Sequence, residues 1–210
     1  SRPLLEINIK RLIEQGVDHI VVNVHHFAEQ IVAFLESRQW AVPVSVSDES
    51  ECLLDTGGAL RKAAPLFSTA GPYLIYNVDV LSRFSLADIL ESHLKQQALA
   101  TLAVSQRASS RQLLFNGDSH LVGWHNNDTD EYLWSDQQYA DCMPFAFSGV
   151  AVVDASLIPL LPSKDSFPIV PEYVRLAKQH TINSFVHAAS DWLDVGKPQT
   201  LMHAESFLNG

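Results

Sequence analysis

The sequence predicts an α/β fold: a mixed, mostly parallel sheet with helices on both faces. Three observations carry that expectation. From Leu5 to Leu94, segments apolar at helical spacing alternate with short β-branched runs, the order of a sheet built from strand–helix units. Two of the β-like runs close on an aspartate, Tyr73-Leu-Ile-Tyr-Asn-Val-Asp79 and Trp192-Leu-Asp194-Val-Gly196. The chain has 210 residues, 47% hydrophobic and 18% charged, enough for one sizeable core without division into domains.

Leu5, Ile9, Leu12 and Ile13 repeat as one face of a helix, with Gly16 as its C-cap. His19 to Val24 reads as a buried strand, and Phe27, Ile31, Phe34 and Leu35 mark a second amphipathic helix. Val42, Val44 and Val46 alternate as in a strand ending at Asp48 and Glu49. After Leu53-Leu-Asp-Thr-Gly-Gly58 a helix is expected to run to Pro65, which cannot continue the ladder. The Asp79 strand and a helix carrying Leu86, Ile89, Leu90, His93 and Leu94 follow. Leu99 to Ser105 is a further strand, and Leu113 to Trp124 a hairpin turned at Asn116-Gly117. Asn126 to Cys142 reads as loop, Phe145 to Val153 as strand, Val170 to His180 as helix and Ile182 to His187 as a short strand. Pro198 is placed at the first position of a last helix reaching Phe207. No repeat or linker divides the chain, so residues 1–210 read as one domain.

Charge and cysteine usage narrow the function. With 24 acidic and 14 basic residues the formal charge is −10, and no Lys/Arg stripe offsets it, which argues against nucleic acid as partner. Small molecules are the expected partners, with the chain a monomer or homo-oligomer. No apolar run approaches the roughly 20 residues of a membrane span. Cys52 and Cys142 form neither a disulfide nor a zinc pattern, and a reduced, cytoplasmic setting is the simple expectation.

Strand C-termini in an open α/β sheet converge on one crevice, where ligands bind. Two carboxylates there, Asp79 and Asp194, suit a hard divalent cation held against phosphate oxygens. Turn or helix-cap roles are the alternative. Gly57 and Gly58 either start a helix or let a flat base lie against bare backbone, and Asp55 and Thr56 either cap that helix or touch the ligand. Asn77 either orients Asp79 or forms an ordinary turn. Ser148 and Gly149 interrupt an apolar strand, which marks a bulge or close ligand approach. His25 and His26 read as structural. Arg61, Arg111 and Lys197 are the basic residues nearest expected loops, and Lys197 either reaches phosphate or opens a solvated helix. Trp124, Tyr132 and Trp134 either line a pocket or pack the loop-rich segment.

Six pieces in order make the chain resemble the sugar-phosphate nucleotidylyltransferases, in particular short bacterial members similar to mannose-1-phosphate guanylyltransferases and N-acetylmuramate-1-phosphate uridylyltransferases. The pieces are Arg2-Pro3-Leu4-Leu5, Val22 to Ile31, Leu53 to Leu60, Asn77-Val-Asp79, Phe147-Ser-Gly149 and Trp192-Leu-Asp-Val-Gly-Lys-Pro198. The resemblance implies a Rossmann-like fold of the nucleotide-diphospho-sugar transferase type. It also implies transfer of a nucleotidyl group from an NTP to a sugar 1-phosphate, with release of pyrophosphate and Mg²⁺ on Asp79 and Asp194. It assigns Asp55, Thr56, Gly57 and Gly58 to the nucleotide. Asn77, Ser148, Gly149, Glu172 and Lys197 go to the sugar phosphate, although Pro171 stands near where relatives tend to carry an aspartate.

Relatives open with a strand and a glycine-rich, Arg-containing phosphate loop that the sequence does not contain, so about 25 further residues upstream are expected. Two rival readings remain at this level. One is a catalytically inactive nucleotide-sugar binding protein. The other is a metal-dependent glycosyltransferase, against which Asn77-Val-Asp79 offers a single acid where a paired Asp-x-Asp is usual.

Overall fold

The computed structural model describes residues 2–67 and 71–209. Its first elements are α1 (Leu4–Glu14), β1 (Ile20–Val24), α2 (Ala28–Glu36) and β2 (Val44–Asp48). α1 ends as expected, with Gly16 at φ +92°, a left-handed position that glycine occupies without penalty. β1 and β2 pair in parallel from Ile20 opposite Val44 to Val24 opposite Asp48. Ile9, Ile20 and Leu35 form the buried centre beneath them, and Leu12 also reaches the core of the main sheet. Phe27 departs from the expected helix face. It precedes α2 at φ +57° with 74% of its surface exposed, so its ring adds nothing to that core.

α3 (Asp55–Ala63) begins before its two glycines rather than after them. The main sheet is built from β3 (Tyr73–Tyr76), β5 (Ala100–Ser105), β6 (Arg111–Phe115), β7 (Leu121–Asn126), β8 (Glu131–Trp134), β9 (Met143–Val153) and β10 (Ile182–Val186). Preceding β5 in the chain are β4 (Val80–Ser82) and α4 (Leu86–Gln96); α5 (Ile169–Leu176) precedes β10. The chain closes with β11 (Trp192–Asp194), α6 (Pro198–Leu201) and α7 (Ala204–Asn209).

The eleven-residue β9 organises the sheet. One edge pairs with β5 along its length; the other pairs with β6 near Phe145 and then with β3 from Val150 to Val153. The fold is α/β with a mixed sheet flanked by helices, as the sequence predicts. Among the described pairings only β1–β2 and β10–β5 are parallel, however; the others are antiparallel, so parallel pairing is rarer than expected. Short connections and the hairpin β6–β7–β8 account for part of this, because a tight turn can join only antiparallel neighbours.

Leu102, Val104, Phe115, Ala151, Val153 and Tyr173 pack on one face of the sheet, with Ile89, Phe84, Ala103, Val150 and Val152 on the other. Each fully buried Leu, Val or Phe contributes roughly 1.5–3 kcal/mol. Ser85 caps α4 by accepting from the Asp88 amide at 3.1 Å, and Gln97 ends it at φ +48°.

Three other expectations shift. The hairpin loop is longer than the Asn116-Gly117 pair: it spans 116–120, with the Asn116 carboxamide oxygen accepting from the Asp118 and His120 amides. Part of the expected loop after Asn126 is β8. α5 starts one residue early and stops at Leu176 rather than His180.

Candidate active site

Asp79 lies in the turn that joins β3 to β4, and Asp194 ends β11. The two meet because β11 pairs antiparallel with β4, setting Asp194 opposite Val80. The Val195 amide donates to the Asp79 carbonyl at 2.8 Å, and the Gly196 amide donates to Asp194 Oδ1 at 2.8 Å. A Cβ added at Gly196 would fall 3.1 Å from both Asp194 Oδ1 and Asp79 Oδ2. Those oxygens are therefore no farther apart than twice that distance, across a space that the missing side chain leaves open. Both carboxylates are exposed.

Asn77 and Gly149 hold the turn from the sheet side. The Asn77 amide donates to the Gly149 carbonyl at 2.9 Å, and the Val80 amide closes the turn on the Asn77 carbonyl at 3.1 Å. Gly149 has φ +70°, and a Cβ there would lie 2.8 Å from Asn77 Nδ2. The Asn77 side chain thus lies over Gly149, within three residues of Asp79 and inside the same turn.

Ser148 turns inward. It is wholly buried, and its hydroxyl lies 2.8 Å from His187 Nε2. His187 Nδ1 faces the Ala188 carbonyl at 2.9 Å. A carbonyl only accepts, so Nδ1 carries the proton and the Ser148 hydroxyl donates to Nε2. Burial holds the His187 pKa below its ordinary value, which favours this neutral ring, stacked on Phe84. Ser148 therefore spends its hydroxyl inside the protein, and its carbonyl accepts from Trp192 Nε1 at 2.8 Å.

Arg107, which the sequence did not single out, fixes a positive charge here. Its guanidinium centre lies 3.8 Å from the Trp192 ring centroid, and Nη2 donates to the Phe147 carbonyl at 2.7 Å. Burial lowers its pKa, and the charge of Asp194 opposes that shift. The only sequence cue is an arginine two residues beyond a strand whose residues are all buried.

The segment expected to contact the nucleotide is tied to the chain itself. The Gly57 and Gly58 amides both donate to the Phe167 carbonyl, at 2.9 and 3.3 Å. A Cβ on Gly57 would stand 2.3 Å from the Phe167 ring, and one on Gly58 would stand 2.2 Å from the Asp165 carbonyl oxygen. Close packing of α3 against residues 165–167 thus requires both glycines. Thr56 Oγ1 accepts from the Ile169 amide at 2.9 Å at the start of α5. Asp55, at φ +58°, accepts from the Thr56 amide at 2.6 Å.

Glu49, only 1% exposed, anchors the loop ahead of α3. Its carboxylate accepts from the Leu54 amide at 3.0 Å and, with the Asn23 carboxamide turned to donate, from Asn23 at 2.9 Å.

Glu172 lies on α5, where Arg175 Nε donates to it at 2.6 Å. Among the described residues, no hydrogen bond or ion pair joins it to the two aspartates. Lys197 is exposed directly after Gly196, with its carbonyl accepting from Thr200. His25 ties its Nδ1 to the Glu49 carbonyl at 2.7 Å, a structural use. Arg61 binds the Pro162 carbonyl and Asp165, and Arg111 lies exposed on β6. Trp124 packs on the core while Tyr132 and Trp134 stack on each other outside it.

Two hard oxygen donors facing one gap fit a divalent cation of the magnesium kind, which binds few protein carboxylates and keeps positions for water and phosphate. Among the described residues no group of three or more His, Cys, Asp or Glu gathers as a metal cage, which such an ion does not need. Nor is any described helix long and apolar enough to cross a membrane.

The fold is one that other α/β proteins share. The sequence profile of the nucleotidyl transferase family matches residues 1–113, and the chain belongs to that family. It is 26% identical to the N-acetylmuramate alpha-1-phosphate uridylyltransferase of Caulobacter vibrioides, over 99% of this chain and 85% of that protein. It is 23% identical to the mannose-1-phosphate guanylyltransferase catalytic subunit beta of Danio rerio, covering 96% of this chain but only 55% of that one. The chain thus spans about half the length of the guanylyltransferases it matches. Among solved structures, HddC from Yersinia pseudotuberculosis superposes with a TM-score of 0.75 at 20% identity, over 99% of this chain and 86% of that one. UDP-glucose pyrophosphorylase from Acinetobacter baumannii gives 0.74 at 14% identity, over 100% and 82%.

Proposed function

We propose that this protein joins an NTP and a sugar 1-phosphate, giving an NDP-sugar and pyrophosphate. The observation that carries the reading is the convergence of Asp79 and Asp194 on the gap over Gly196 in a chain of this family. Similarity to a uridylyltransferase and to guanylyltransferases, both named for sugar 1-phosphates, supports the substrate class and leaves the base and sugar open.

In this mechanism an oxygen of the sugar phosphate attacks the α-phosphorus of the NTP in line. The bond from that phosphorus to the bridging oxygen breaks, and pyrophosphate departs with the electron pair. The attacking oxygen is already anionic, so no general base is required, which agrees with the structural uses of His25 and His187. Asp79 and Asp194 would hold Mg²⁺, whose charge when bound offsets the negative charge of the reacting phosphates. The turn of Asn77 beside Gly149, backed by buried Ser148, would stand where the sugar is seated. Leu53, Asp55 and Thr56, which stay exposed ahead of the two packed glycines, would be the part of that segment left to meet the base, and Lys197 would reach outward to phosphate.

The reaction is tested by assaying release across the common NTPs, each paired with hexose and amino-sugar 1-phosphates in Mg²⁺. Pyrophosphate release that needs both substrates, concentrated on one pair, is the expected result. Release of a nucleoside diphosphate from an NDP-sugar instead would make the protein a glycosyltransferase. Tight NDP-sugar binding with no turnover would make it a binding protein.

A further inference from the structure

We infer that Asn8 is a positioning residue for Asp79, fixing the turn that carries this carboxylate from inside the protein. Asn8 sits on α1, only 4% exposed, with apolar Leu5, Ile9 and Leu12 at helical spacing around it. Its Nδ2 donates to the Val78 carbonyl at 2.8 Å and to the Val80 carbonyl at 3.1 Å. These carbonyls flank Asp79 on either side, so one amide group grips both ends of the peptide unit that carries the carboxylate. The Val195 amide holds the Asp79 carbonyl as well, leaving three hydrogen bonds on three consecutive carbonyls.

The other half of the Asn8 side chain shows what the residue is for. Its Oδ1 is buried with no hydrogen-bond partner. An unpaired buried acceptor is costly, and a leucine of similar volume would avoid that cost. The same leucine would leave the Val78 and Val80 carbonyls without this donor, so the contribution of asparagine lies in its Nδ2. What the amide adds is donors for two carbonyls that would otherwise face an apolar helix, and with them one orientation for Asp79. α1 is thereby tied to the turn that carries Asp79.

The inference rests on the metal reading of Asp79 only for its consequence; the immobilised turn is a separate claim, and the experiment reads both. The full chain and its Asn8→Leu variant are compared by amide hydrogen exchange, by Mn²⁺ binding in EPR titration and by thermal melting, with Asp79→Ala as reference. In a folded Asn8→Leu protein, exchange at the Val80 and Val195 amides should rise about tenfold or more while that of β5 stays unchanged. Mn²⁺ binding should weaken about 10- to 100-fold, the range seen when a group that orients a ligand is lost.

Unchanged exchange at both amides overturns the inference. Faster exchange with unchanged Mn²⁺ binding overturns the link to the carboxylate. If Asp79→Ala binds Mn²⁺ as the natural chain does, the metal reading fails, and exchange alone decides the role of Asn8. Should Asn8→Leu not fold, Asn8→Ala, which only removes atoms, is read by the same criteria.

Discussion

Asp79→Asn and Asp194→Asn are each expected to lower pyrophosphate release by about 10²–10³-fold, the cost of removing one group that stabilises developing charge. Stability should move little. Both side chains are exposed, and surface substitutions that keep shape usually change stability by less than about 0.5 kcal/mol. In Asp194→Asn the carboxamide oxygen can still accept from the Gly196 amide, preserving the local turn. Removing one of two facing negative charges also relieves repulsion, so a slight gain in urea resistance would be in keeping with a site arranged for function rather than stability. Steady-state turnover and urea melts on the same preparations check both halves. Turnover within about threefold of the natural chain in a folded variant would remove that aspartate from the site.

Gly149→Ala carries the second large effect, on stability and activity together. At φ +70° an alanine carries the penalty of the left-handed region, roughly 1–2 kcal/mol. Its Cβ would also stand 2.8 Å from Asn77 Nδ2, inside any real contact, so the Asn77 side chain has to move. A total loss of about 2–3 kcal/mol is expected by urea denaturation. Turnover should fall too, because Asn77 begins the turn that carries Asp79. Gly117→Ala supplies the comparison: its φ is not positive, nothing lies within 4 Å of an added Cβ, and it should stay within about 0.5 kcal/mol. Equal stabilities for the two variants would show that the turn is not held as described.

Amphipathic spacing made α1, α4 and the β1–α2–β2 order legible, because burial of one face is what that spacing records. Phe27 misled for the same reason: an aromatic residue ahead of Ile31 and Leu35 fits the helix pattern, yet it falls before the first turn and points to solvent. β8 was missed because Glu131, Tyr132 and Leu133 are all exposed, so no alternation betrays a strand at the sheet's rim. Strand direction was misjudged in the main sheet, since a sequence period gives faces but not partners.

At the site, acids ending two β-like runs were visible; the room that Gly196 leaves between them was not. The grip of Asn8 and the anchoring of Arg107 were not. An asparagine on an amphipathic helix and an arginine after a strand look like any others until the chain is folded. Gly57 and Gly58 looked like bare backbone for a ligand, and in the folded chain Phe167 and Asp165 occupy that space.

The central claim is that Asp79 and Asp194 together hold one divalent cation. The most direct measurement is an anomalous difference map from crystals grown with Mn²⁺ and the NDP-sugar identified by turnover. One strong peak within about 2.0–2.4 Å of a carboxylate oxygen from each aspartate, and near the bound phosphates, is the predicted result. A well-ordered nucleotide sugar whose metal lies away from either aspartate would contradict it.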